Sequence, residues 1–205
     1  MKRVYACALL LAVSLLPAAA RAFKGGDTPT TPLAVGSTVE EFKLPDADGK
    51  ERALSSLKGA KGTVLIFIAT RCPVSNAYNE RMEKLAEDLK ARGVNVVGIN
   101  SNWNEPLAEV KQHASEHKFS FVVLKDEGNR IADRLGATTT PEAYFLDPSN
   151  KLLYRGRIDN ADPRRDDPVT SDDLRNAVEE TLAGKPVTKP EGKAFGCTIK
   201  RASQG

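Results

Sequence analysis

Thr63-Val64-Leu65-Ile66-Phe67-Ile68-Ala69 followed at once by Thr70-Arg71-Cys72-Pro73-Val74-Ser75-Asn76 is the stretch that decides the fold. Its first half is an uninterrupted apolar run, the pattern of a strand covered on both faces and therefore central in a sheet. In its second half, Pro73 suits the first turn of a helix, and Val74, Tyr78, Met82, Leu85 and Leu89 recur at spacings of three and four up to Gly93. The spacing predicts one amphipathic helix with a glycine stop.

The neighbouring segments extend this unit. Val94 to Ile99 is a second apolar strand, so strand, helix and strand form a right-handed crossover between parallel neighbours. Asn104 is expected to cap a helix with Pro106 in its first turn and Leu107, Val110 and Ala114 on one face, before a strand from Phe121 to Leu124. A short helix from Asn129 to Leu135 stops at Gly136. Ala143 to Leu146 and Leu152 to Arg155 flank Asp147-Pro148-Ser149-Asn150 and read as an antiparallel hairpin. A last helix, capped by Thr170 or Ser171, buries Leu174, Val178 and Leu182 and ends at Gly184, after a charged loop from Asn160 to Pro168. Upstream, Phe42 and Leu44 mark a short strand before the Asp48-Gly49 turn, and Ala53 to Leu57 a second short element. Folding is expected to begin near Leu33.

The ends of the chain read differently. Lys2 and Arg3 precede an apolar run from Val4 to Leu16, and Ala20-Arg21-Ala22 gives the small-x-small pattern of a signal-peptide cleavage site. Residues 1–22 are thus expected to be a signal peptide, with cleavage after Ala20 as the alternative. The run is shorter than the ~20 residues that span a bilayer, so the mature form should carry no stable membrane span. Residues 23–34 form a flexible leader, 35–184 the folded domain, and 185–205 a Lys, Pro and Gly rich tail on which Cys197 is expected to move freely. The chain should be exported, to the periplasm in a Gram-negative cell.

Removing Lys2, Arg3 and Arg21 leaves as many basic as acidic residues, so the +3 charge of the 205-residue chain belongs to the signal. A neutral mature chain without a basic cluster threaded by aromatics gives no reason to invoke nucleic acid or an anionic membrane surface, and small molecules or other proteins are the expected partners. Of three cysteines, Cys7 leaves with the signal, and Cys72 and Cys197 remain. In an oxidising compartment they are open to two readings, a structural bridge or a redox pair.

Cys72 lies where the strand turns into the helix, with the N–H groups of Val74 and Ser75 free to favour its thiolate, and Arg71 adjacent. Far along the chain, Thr140-Pro141 at a strand entry is a candidate cis peptide. Together, Phe67 to Ser75 and Thr140-Pro141-Glu142 resemble the active-site strand and cis-proline segment of the thioredoxin superfamily, in particular its periplasmic TlpA-like members. A fuller resemblance is to the peroxiredoxin-like group of the redoxin family, carried by Cys72-Pro73-Val74-Ser75-Asn76-Ala77-Tyr78, by Tyr154-Arg155-Gly156-Arg157-Ile158-Asp159-Asn160, and by Gly196-Cys197-Thr198-Ile199-Lys200.

That resemblance implies an α/β fold, a thioredoxin-like three-layer sandwich with a central mixed sheet and helices on both faces. It implies a thiol oxidoreductase or thiol peroxidase that needs no cofactor. The partners would be a small peroxide or a protein thiol or disulfide as substrate, and a thiol protein as reductant. Cys72 would be the attacking thiolate, and Cys197 the resolving thiol that condenses with a Cys72 sulfenic acid. Arg157 would stabilise an anion. Ser75 and Asn76 are candidate donors beside the sulfur.

The chain departs from the family pattern at informative places. Ser75 occupies the position of the second cysteine of Cys-x-x-Cys, which excludes exchange through a local disulfide. Leu65 and Ala69 stand where typical peroxiredoxins carry Pro and Thr, leaving Thr70 as the remaining source of a hydroxyl. A non-catalytic binding or scaffold domain fastened by a Cys72–Cys197 bridge is the alternative reading. Metal carriage is a weaker one, since His113 and His117 share a helical face but lack a third ligand. Trp103 reads as packing or as a shield over the site.

Overall fold

The computed structural model describes residues 32–165 and 167–202. The signal peptide expected over residues 1–22, and most of the leader, lie outside the described residues. Where folding was expected to begin, the Leu33 N–H donates to the Leu135 carbonyl at 3.2 Å. A small antiparallel pair, β1 (Lys43–Pro45) and β2 (Glu51–Ala53), is followed by one helical turn, α1 (Leu54–Leu57).

The apolar run forms β3 (Gly62–Ile68), buried at every position. It pairs in parallel with β4 (Val94–Asn100) and antiparallel with β7 (Glu142–Leu146). β5 (Val122–Lys125) and β8 (Leu152–Gly156) complete a mixed five-stranded sheet in the order β5-β4-β3-β7-β8. β3 is central, as its sequence requires. Its side chains alternate between two cores. Val64, Ile66 and Ile68 meet helix residues Met82, Leu85, Leu89, Leu174 and Val178 on one face. Leu65 and Phe67 meet Phe42, Leu44, Leu54, Leu57, Ile131 and Leu135 on the other. Each such fully buried apolar side chain contributes about 1.5–3 kcal/mol relative to exposure. This is the expected thioredoxin-like three-layer sandwich.

The single helix expected after Cys72 is instead two, α2 (Pro73–Ala77) and α3 (Asn79–Ala91). Tyr78 stands between them, its N–H turned to the Ser75 carbonyl at 3.0 Å. The cause is tertiary: the Tyr78 hydroxyl donates to Asp159 Oδ1 at 2.8 Å and lies 2.6 Å from the Ala161 carbonyl, partners more than eighty residues away.

Two caps also differ from expectation. Helix α4 (Leu107–Glu116) is entered through Pro106, whose extended backbone makes it the cap residue rather than the first turn, and Asn104 makes no capping bond. Helix α6 (Asp173–Leu182) begins after Asp172, because Thr170 and Ser171 are engaged by Asn160 and Asp173. Helix α5 (Arg130–Leu135) does stop at Gly136, which adopts the left-handed backbone expected of it.

The tail does not hang free. The Arg155 N–H donates to Pro190 O and the Gly192 N–H to Arg155 O, so the tail runs along β8 where Gly156 and Gly192 meet backbone to backbone. It then forms β9 (Cys197–Thr198), antiparallel to β6 (Thr139–Thr140), and buries Ile199. Sequence composition missed this because many of the docking groups, at Pro190, Gly192, Cys197, Thr198 and Ile199, are main-chain atoms, which any residue supplies. No helix among the described residues is long and apolar enough to cross a membrane.

Candidate active site

Cys72 caps α2 from the C-terminal end of β3. Its sulfur accepts the Ser75 N–H at 3.3 Å, the bond by which a helix start favours a thiolate. Because α2 has only five residues, no long helix dipole stands behind the sulfur. The terminal effect is concentrated in the first turn in any case, so the single N–H of Ser75 carries it.

The Thr140–Pro141 peptide is cis. This turn lays the Thr140 carbonyl 3.3 Å from the Cys72 sulfur, within reach of a thiol proton. The ladder between β6 and β9 sets Cys197 opposite Thr140, and the two cysteines are joined as a disulfide with their Cα atoms 5.9 Å apart. Cys72 is 3% exposed, within the core beneath β3, whereas Cys197 is partly exposed.

The supporting residues occupy definite places. The Ser75 hydroxyl accepts the Ala69 N–H at 3.1 Å, so Ser75 serves the sulfur through its main chain alone. Asn76 donates to the Thr70 carbonyl at 2.8 Å and faces His113 Nε2 at 3.0 Å through its own oxygen. The Thr70 hydroxyl donates to Glu109, and Arg71 forms a forked pair with the same carboxylate, Nε lying 2.9 Å from Oε1. Arg71 thus turns toward α4 instead of folding back on the sulfur. Arg157 is paired with Asp173 at the start of α6. The structure brings Cys72, Cys197, Ser75, Thr140 and Pro141 together, and gives Thr70, Arg71 and Arg157 carboxylate partners elsewhere. Trp103 is not the buried packing residue expected: it is 60% exposed.

Sequence reading did not anticipate the polar cluster beneath this turn. Burial opposes ionisation of Glu105, yet bonds from Asn102, Asn100 and the N–H groups of Thr70 and Arg71 outweigh it and hold the carboxyl below its ordinary range. Burial pushes the Lys125 ammonium down from its usual value. Burial also lowers His113. The available signal was the run Asn100-Ser101-Asn102 at the end of a buried strand parallel to β3, a position that faces the Cys72 turn. Among the described residues no group of three or more His, Cys, Asp or Glu side chains is arranged to hold a metal ion.

The profile of the AhpC/TSA family matches residues 35–155, more than half of the chain. The chain belongs to the AhpC/TSA family. Its relatives include the thiol-disulfide oxidoreductase ResA of Halalkalibacterium halodurans, 29% identical over 118 residues that cover 58% of this chain and 65% of ResA. The chloroplastic peroxiredoxin Q of Sedum lineare is 30% identical over 132 residues, covering 60% of this chain and 69% of that protein. The chain therefore spans roughly two thirds of each of these relatives. A hypothetical protein from Sinorhizobium meliloti superposes with a TM-score of 0.78 at 33% identity, covering 86% of this chain and all of the other.

Proposed function

We propose that this AhpC/TSA family protein is an exported thiol-dependent oxidoreductase that cycles between the Cys72–Cys197 disulfide and the dithiol. Cys72 is the reactive thiolate and Cys197 the resolving thiol. The observation that carries this reading is the asymmetry of the bridge. One sulfur accepts a helix-start N–H beside the cis proline, and the other is partly exposed on a docked strand. In the reduced protein the Cys72 thiolate attacks a disulfide of a protein substrate and displaces one substrate thiolate. Cys197 then attacks the mixed disulfide at the Cys72 sulfur and displaces the second. The substrate gains two electrons and the Cys72–Cys197 bond re-forms. A reducing thiol protein reverses the change by attacking Cys197, with Cys72 leaving as thiolate.

A peroxide is the second oxidant of this reading. The Cys72 thiolate would take one oxygen as sulfenic acid, and Cys197 would close the bridge with loss of water. The engagement of Thr70 by Glu109 and of Arg157 by Asp173 favours the disulfide substrate over the peroxide. Export rests on Lys2, Arg3, the apolar run from Val4 to Leu16 and the small residues that follow. On that reading residues 1–22 are removed, 23–34 are a leader, and 35–184 with the docked tail form the working protein in the periplasm of a Gram-negative cell.

The test is disulfide exchange and peroxide consumption by the mature protein, by Cys72→Ser and by Cys197→Ser. The parent turns over, Cys72→Ser is inactive, and Cys197→Ser accumulates a mixed disulfide at Cys72. A Cys72→Ser variant as active as the parent overturns the proposal. The near-complete burial of Cys72 and the tail's attachment on both sides of Cys197 support a second reading, a scaffold domain whose bridge only fastens the tail. That reading predicts no turnover with any thiol partner.

A further inference from the structure

One carboxylate ties together the two chain segments that carry the cysteines. Glu105, only 1% exposed, accepts the Thr70 N–H at 2.9 Å and Asn100 Nδ2 at 2.5 Å on Oε2. On Oε1 it accepts the Arg71 N–H at 3.1 Å and Asn102 Nδ2 at 2.9 Å. Thr70 and Arg71 are the two residues before Cys72. Asn102 holds the other segment, because its Oδ1 accepts the Lys200 N–H at 2.7 Å, three residues beyond Cys197. The Trp103 N–H returns a bond to the Lys200 carbonyl at 3.0 Å. Lys125 closes the cluster from below, donating to Asn100 Oδ1 at 2.8 Å and to the Asn102 carbonyl at 2.6 Å.

All four partners of Glu105 are donors, and both of its oxygens are occupied. Only an ionised carboxylate satisfies such a set. A glutamine would turn an N–H₂ toward two donors and leave them buried without acceptors. The cluster touches neither sulfur. It reaches them through the main chain, on one side through Thr70 and Arg71 and on the other through Asn102 and Lys200.

We infer that Glu105 is a positioning residue for the disulfide step, its carboxylate fixing the separation between the Cys72 turn and the Cys197 strand. This rests on the reading of Cys72 and Cys197 as a redox pair. Ring closure between two thiols depends steeply on how often they meet in attack geometry, so a shared rigid tie raises the effective concentration of one at the other. Glu105 acts before any substrate arrives.

The test compares the parent with Glu105→Gln and Asn102→Ala, each first shown to keep the parent's circular dichroism. In dithiothreitol and glutathione buffers, the equilibrium between the Cys72–Cys197 disulfide and the dithiol is measured, together with Tm in both redox forms. Glu105→Gln lowers the effective concentration by about 10-fold or more. It also lowers Tm more in the oxidised than in the reduced form, since a group that favours the bridge is in turn favoured by it. Should Glu105→Gln fail to fold, Asn102→Ala answers the question, because it cuts the link to the tail and leaves the Thr70 and Arg71 N–H groups satisfied. An unchanged disulfide equilibrium, with equal loss of Tm in both redox forms, overturns the inference and leaves Glu105 a structural residue. A parent that turns over no substrate, yet whose bridge weakens on Glu105→Gln, removes the proposed function and spares this one.

Discussion

Thr140 touches both cysteines: its carbonyl lies 3.3 Å from the Cys72 sulfur, and its hydroxyl donates to the Cys197 carbonyl at 3.4 Å. The residue before the cis proline therefore serves as the seat on which the tail strand delivers Cys197. Upstream the strand is held by Arg155 with Pro190 and Gly192. Downstream it is held by the Ile199 N–H on the Thr138 carbonyl and by Arg201 on Asp133 and Ala137. A tail held on both sides of Cys197 is expected to keep the second thiol beside Cys72 when the bridge opens.

Gly196 tests that clamp. It has a φ of 152°, and a Cβ there would run into the Thr140 carbonyl. Gly196→Ala is expected to lift the strand and slow re-formation of the bridge by about 10-fold, since small misplacements of reacting groups are costly. Timed alkylation of free thiols after reduction gives the rate. Closure at the parent's rate would mean that the strand does not hold Cys197 in place.

Tyr78→Phe removes the buried hydroxyl that breaks the helix and anchors it to Asp159 and Ala161. Asp159 keeps its pair with Arg81. The expected cost is about 1–3 kcal/mol of unfolding free energy, the penalty for a buried acceptor that loses its donor. Urea denaturation measures it, and a loss within error would show that the hydroxyl is not what holds this joint.

These two features mark the limit of what the sequence discloses. The β3 run, the Cys72-Pro73 helix start, the hairpin of β7 and β8, and the Thr140-Pro141 turn each rest on local patterns, and each is where its pattern puts it. The break at Tyr78, the docked tail and Glu105 were hidden. Their causes lie far along the chain: Tyr78 is set by a residue 81 positions away, and Glu105 meets Thr70 across 35. Three of the groups expected near the sulfur, on Thr70, Arg71 and Arg157, found carboxylates, which no spacing rule foretold.

His113 gives a prediction in pH. Burial, then the neighbouring His117, lowers its pKa below the ordinary 6.5, while Glu105, Glu116 and Glu109 pull the other way. The unfolded chain thus takes up this proton at a higher pH than the folded one does. The contribution of His113 is complete above the unfolded value and is lost as pH falls through it toward the folded one. Tm should decline on going from pH ~7 to pH ~5.5, and His113→Gln, which keeps a hydrogen-bonding group beside Asn76, should flatten that decline. An equal decline in parent and variant would assign the loss to other groups.

The proposed chemistry requires Cys72 to ionise more readily than an ordinary thiol. The direct measurement is the thiolate absorbance of reduced Cys197→Ser as a function of pH, with Cys72→Ser as the blank. The expected midpoint lies below the ordinary thiol value of ~8.5, because the Ser75 N–H favours the anion. A midpoint at or above that value would leave Cys72 an ordinary thiol and remove the proposed chemistry.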